Sequence, residues 1–191
     1  MKKSLLLFLF ASFVVFANSQ EESKTGYSAD EPINANENGV VVFSEVVDVE
    51  GASAEYLFTN ASLWVMNRFR HVKNLFQIED TVEYILAGEG HIKVDVKYAV
   101  TGEEEILFFA FKIQCWDGRY SIEMKNISFK TFEGRHLKVE NMITEKHLYR
   151  KTGRRPRSIN QTYKEITVNF INDSFAGLES RIRLLLNEES D

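Results

Sequence analysis

The spacing of apolar side chains changes several times along this chain, and each change marks an element. Leu5 to Phe16 is an apolar run, interrupted by Ser12 alone, behind Lys2 and Lys3. Residues 20–38 have no hydrophobic period; they are rich in Glu, Ser, Asn and Ala, carry Pro32, and read as a flexible leader. A Val-rich stretch from Val40 to Glu50 predicts the first strand. After Gly51-Ala52, Ser53 is suited to cap a helix, and Glu55 in the first turn complements the helix dipole. Leu57, Phe58, Ala61, Trp64, Val65, Phe69 and Val72 then fall on one helical face, which predicts a helix over about 54–70. Tyr56, Leu63 and Met66 lie off that stripe.

Beyond the helix the period shortens to two. Phe76-Gln77-Ile78 and Tyr84 to Ala87 read as short strands, and Gly88-Glu89-Gly90 as a bend or bulge. Ile92, Val94, Val96, Tyr98 and Val100 alternate with His91, Lys93, Asp95, Lys97 and Ala99, giving one wet and one buried face. Thr101-Gly102 predicts a turn, and Leu107, Phe109, Phe111, Ile113 and Cys115 the next inward row. Asp117-Gly118 is the signal of a two-residue hairpin. Tyr120, Ile122 and Met124 follow, and the inward parity then slips to Ile127 and Phe129, which predicts a bulge near Asn126. Leu137 to Ile143 is a candidate strand, and the basic stretch Lys146 to Arg157, broken by Gly153 and Pro156, an exposed loop. Val168, Ile171, Phe175, Leu178, Ile182 and Leu185 recur at spacings of three and four, so a helix over about 162–188 is expected. Ile166, Val168 and Phe170 could instead form a short strand, an alternative that the β-branched residues keep open.

Strand, helix, antiparallel meander and helix make an α+β domain. The expected architecture is a curved antiparallel sheet of about five to six strands with two helices packed on one face. The strand rows and helical stripes supply each other's cover, and fifteen Phe are ample core material. One domain over 39–191 suits this length.

The N-terminus changes the picture most. Lys2 and Lys3, the apolar run and Ala17-Asn18-Ser19 have the order of a secretory signal peptide over 1–19, cleaved before Gln20. The apolar run is shorter than the roughly 20 residues a membrane helix needs. The expected localisation is therefore export, to the periplasm or beyond, with no transmembrane segment. The expected cleavage point has no cysteine, which argues against a lipoprotein. Cys115 is the single thiol, so no internal disulfide forms. The net charge of −5 argues against a nucleic-acid partner, because phosphate binding is driven by clustered Lys and Arg.

Several short stretches resemble one known family. They are Val46-Val47-Asp48-Val49-Glu50-Gly51, Ser53-Ala54-Glu55-Tyr56-Leu57-Phe58 with Trp64, Gly88-Glu89-Gly90, and Trp116-Asp117-Gly118-Arg119-Tyr120. In this order they resemble exported Bacteroidetes domains of unknown function described as TBP-like, over about residues 42–129. The resemblance implies a curved antiparallel sheet with helices on one face and an envelope location. It implies no catalytic residue, and the fold name imports no DNA binding.

Candidate chemistry is sparse. His71, His91, His136 and His147 have no partner at metal-ligand spacing, and HExxH and CxxC are absent. His91 stands on the wet face of its strand beside Glu89, Lys93 and Asp95, where solvated surface is the expected reading and a weak metal or proton-transfer site the alternative. Cys115 falls on an inward row and is expected to be an inert core thiol. Glu103-Glu104-Glu105 is expected to be a charged turn that blunts a sheet edge. No GxSxG or SxxK motif occurs. The one charge asymmetry is basic: Lys146, Arg150, Lys151, Arg154, Arg155 and Arg157 lie together with no acid among them. Such a segment is either a solvated loop or a patch for an anionic partner. The sequence therefore predicts no catalytic residue, metal or cofactor. It points to a non-catalytic exported module that associates with an anionic envelope component or another protein. The alternative is a hydrolase acting on envelope or dietary polymers through an unrecognised site.

Overall fold

In the computed structural model, residues 26–98, 101–148 and 158–188 are described. The expected signal peptide over 1–19 lies outside them. The elements are β1 (Val42–Asp48), α1 (Ala54–Arg68), β2 (Phe76–Asp80), β3 (Ile85–Tyr98), β4 (Thr101–Trp116), β5 (Arg119–Lys130), β6 (His136–Lys138), α2 (Glu145–Leu148) and α3 (Ser158–Glu188). The strands form one antiparallel sheet in the order β1-β5-β4-β3-β2, with β6 also paired to β5. β1 pairs with residues 119–125 of β5 and β6 with residues 128–130, so the two share one edge of that strand. The expected α+β architecture, sheet size and helix placement are all present.

Helix α1 starts where expected. The Ser53 hydroxyl accepts from the Tyr56 N–H at 3.1 Å, and Glu55 occupies the first turn. Its stripe buries Leu57, Phe58, Ala61 and Val65, with Phe69 just beyond the helix end, while Leu63 and Met66 are exposed. Leu107, Phe109, Phe111, Ile113 and Cys115 form the buried row of β4, and α1 and α3 cover it. Phe109 joins the layers, with its ring centroid 4.9 Å from both Phe69 and Phe170.

Two turn signals act as expected. Gly118 has φ of 79° in the hairpin joining Trp116 to Arg119. Asn126, at φ of 55°, marks the bulge where the β4–β5 register shifts between Phe108 and Ala110.

Other expectations are corrected. Gly88-Glu89-Gly90 is not a bend: it runs through β3 in regular register with β4, and the irregularity expected here lies on the β2 side, between Phe76 and Ile78 opposite Gly88 and Ala87. A Cβ at Gly88 would lie 1.9 Å from the Leu75 carbonyl oxygen, and one at Gly90 would lie 2.5 Å from the Phe109 ring, so these glycines permit close approach. Thr101-Gly102 is strand, because Tyr98 pairs with Thr101 and the connection falls at 99–100. Of Leu137 to Ile143, only the first two residues are strand, followed by a 3₁₀ turn over Val139–Asn141. The predicted loop from 146 begins inside α2, and residues 149–157 lie outside the described residues. Ile166 to Phe170 is helical, within an α3 that begins at Ser158.

The described part of the leader is anchored. Tyr27 packs edge-on against Phe43 at 4.8 Å, and Ile33 is buried and bridged to Thr144. Asn172 binds the Tyr27 backbone twice, accepting from its N–H and donating to its carbonyl, both at 2.8 Å. Polar composition hid these two apolar anchors.

Candidate functional site

The sheet has a covered face and an open one, and the open face gathers the side chains that sequence left scattered. On it, the β3–β4 register sets His91 opposite Phe108 and Lys93 opposite Ile106. The β4–β5 register continues these rows to Ser128 and Lys130, and β6 adds Lys138 and His136. His91 and Phe108 are 5.7 Å apart by ring centroids, and Phe108 and His136 are 5.9 Å apart, with interplanar angles of 41° and 35°. His71, from the connection after α1, stands edge-on to His91 at 5.5 Å, and its Nε2 is 2.8 Å from the His91 carbonyl oxygen. That contact assigns the proton to Nε2, since a carbonyl accepts. Three of the four histidines thus meet at one end of the open face. Among the described residues no group of three or more His, Cys, Asp or Glu side chains is placed to hold a metal ion.

At the other end of the face, Trp116 is 39% exposed, Val46 is 56% exposed, and the Arg119 guanidinium lies 5.5 Å from the Trp116 ring centre. Between the ends run Lys112 and the Lys125–Glu123 ion pair at 2.7 Å. Lys93 pairs with Glu104 at 2.7 Å in solvent, where such contacts add little stability.

A second place with chemistry is the seam between β1 and α3. A cleft of about 250 Å³ is lined by Gly26, Glu45, Asn172, Phe175, Ala176 and Glu179. Partial burial raises the Glu45 carboxyl above the usual carboxylate range, and the Glu179 charge adds to the effect. Behind it, burial pushes the Tyr120 phenol up, with help from Glu179 and Glu45. The Tyr120 hydroxyl has no hydrogen-bond partner among the described residues. Glu179 is held by Arg183 Nε at 2.7 Å. The cleft has carboxylates but no nucleophile beside them; Cys115 is only 2% exposed and its thiol is pushed up to about 12 by burial, as a core thiol should be.

The remaining sequence candidates separate. Lys146 is exposed on α2, while Arg150, Lys151, Arg154, Arg155 and Arg157 lie outside the described residues. His147 is apart from the other histidines, its Nδ1 near the Thr144 hydroxyl and the Glu140 carbonyl. The Glu103-Glu104-Glu105 turn is corrected: the three alternate across the sheet, and Glu105 is 1% exposed with the Tyr163 hydroxyl donating to its carboxylate at 3.1 Å. Sequence reading missed the association of His91 with Phe108, His71 and His136. The first of these contacts is recoverable from the β3–β4 register once Tyr98 is paired with Thr101.

Comparison with known proteins agrees with this geometry. A family model described as a domain of unknown function (DUF4468) with TBP-like fold matches residues 43–130. A crystal structure of a DUF4468 family protein from Bacteroides ovatus superposes with a TM-score of 0.70 at 20% identity, covering 85% of this chain and 95% of that one. A TBP-like protein from Parabacteroides distasonis superposes with a TM-score of 0.63 at 17% identity, covering 78% of this chain and 96% of that one. At these identities the two structures establish a shared fold and nothing about activity. No curated protein matches the chain. Residues 43–130, which run from β1 to the end of β5, therefore resemble the DUF4468 family, and the chain shares its TBP-like fold.

Proposed function

We propose that the protein is an exported, non-catalytic association module, and that the open face of its sheet is the contact surface. One observation carries this reading. Both long helices pack on the inner face, yet the opposite face retains half-buried Ile106 and Phe108 and exposed Val46 and Trp116. Aromatic and aliphatic groups left on a sheet face among paired charges are the composition of a contact surface with a polar rim. The seam cleft favours the hydrolase alternative less, because the one raised carboxyl, Glu45, lacks a partner nucleophile or a second element to position water. The basic segment from Lys146 to Arg157 remains a second candidate anion patch; its support is charge density in the sequence.

Site-directed crosslinking tests the surface. Cys115 is buried, so a photo-crosslinker attached at Lys112→Cys on the open face, or at Ser180→Cys on α3, labels one face at a time. Discrete adducts in native envelope preparations from the Lys112 position, and none from the Ser180 position, are expected. Adducts from the helix side alone overturn the reading. Export is tested by mass spectrometry of the mature chain, which is expected to begin at Gln20.

A further inference from the structure

We infer that the ring strip at the β6 end of the open face is a binding site for an acidic polysaccharide. The inference rests on the reading of the open face as the contact surface, and adds the class of ligand. Its centre is Phe108, flanked at 5.7 Å by His91 and at 5.9 Å by His136. Low tilts of 41° and 35° make the three rings a shallow, continuous platform instead of interlocked edges. Ile106 extends its apolar surface, one pair along β4. Lys130 and Lys138 frame it from β5 and β6; both are exposed and neither forms an ion pair among the described residues. Of the acids at this end of the face, Glu104 is held by Lys93, while Glu89 and Asp95 lie on the β3 side, away from the two lysines. Lys130 and Lys138 thus set two ammonium groups beside the aromatic centre on its β5–β6 side.

The shape selects among anionic partners. Phe108 is half-buried and flush with the sheet, whereas a lipid surface is engaged by protruding apolar anchors. An acidic peptide that adds as a strand pairs along a sheet edge, away from Phe108 at the centre of the strip on mid-sheet β4. Sugar rings present a flat face of C–H groups that covers an aromatic ring, while their carboxylates project sideways toward ammonium groups. A single-stranded nucleic acid would also stack there, but its denser charge suits a net acidic protein poorly.

Affinity electrophoresis of the mature chain in gels containing polygalacturonate, neutral dextran or single-stranded DNA tests the site. Polygalacturonate is expected to retard the protein in a salt-sensitive way, and dextran to leave it unaffected. Phe108→Ala, and separately Lys130→Gln with Lys138→Gln, are each expected to weaken retardation at least fivefold. The Lys pair is exposed, so its variant reads binding even if Phe108→Ala folds poorly; circular dichroism checks both. The inference is overturned if polygalacturonate does not retard the wild type. It is equally overturned if the Lys130 and Lys138 changes leave retardation intact, or if DNA retards the chain more strongly. An Arg154→Ser, Arg155→Ser variant that alone abolishes retardation also overturns it. If polygalacturonate fails while the Lys112 crosslinker still yields open-face adducts, the ligand class is wrong and the contact surface stands; if both fail, both readings fall.

Discussion

Gly90 shows how much a single hydrogen can decide. Its missing Cβ is the space into which the Phe109 ring fits, and that ring is wedged between Phe69 and Phe170. Gly90→Ala should cost about 1–3 kcal/mol by overpacking, read as a lower denaturation midpoint at unchanged slope. Glu45 makes an opposite prediction. Its folded carboxyl is raised above its unfolded value, so the stability it contributes is present at acid pH and is lost as pH rises through the raised value. Glu45→Gln should therefore raise the melting temperature at pH 7 and give no gain near pH 4. A gain that is equal at both pH values would refute the assignment. Cys115, held at about 12 by burial, should resist a thiol reagent at pH 8 until the chain is denatured.

At the scale of elements, the Asp117-Gly118 hairpin does more than join β4 to β5. Asp117 Oδ1 accepts from the Ala54 N–H at 2.8 Å, and the Gly118 N–H donates to the Ala52 carbonyl at 2.8 Å. The hairpin thus supplies a second cap to α1 across the fold, beside the local one from Ser53. Asp117→Ala should cost about 1 kcal/mol, the usual worth of a helix cap, and Asp117→Asn should recover most of it. Urea titration of the two variants checks this. Ser53 and the turn type were legible locally; the bond from the Ala54 N–H to Asp117 was not, because it spans 63 residues.

For the whole molecule, the N-terminal segment makes the sharpest prediction. Tyr27 touches both the sheet, through Phe43, and α3, through Phe175, and Ile33 is buried. Removing residues 20–38 should lower stability by about 2–5 kcal/mol, the range for deleting large core side chains. Tyr27→Ala should account for part of that loss, whereas a truly free leader would cost nothing when removed. Sequence alone determined the inward and outward faces of the strands, the extent of α1 and most of α3, and the bulge near Asn126. Those follow from side-chain periodicity, which is a local property. It even survived a misplaced turn: a turn at Thr101-Gly102 would set His91 opposite Lys112 instead of Phe108, but the slip is an even number of residues, so every side chain kept its face. Tertiary structure alone decided what stands beside what: Phe108 between two histidines, Glu105 beneath Tyr163, Tyr27 on Asn172. Such neighbours are set by register and by packing between distant segments, and no spacing along one segment encodes them.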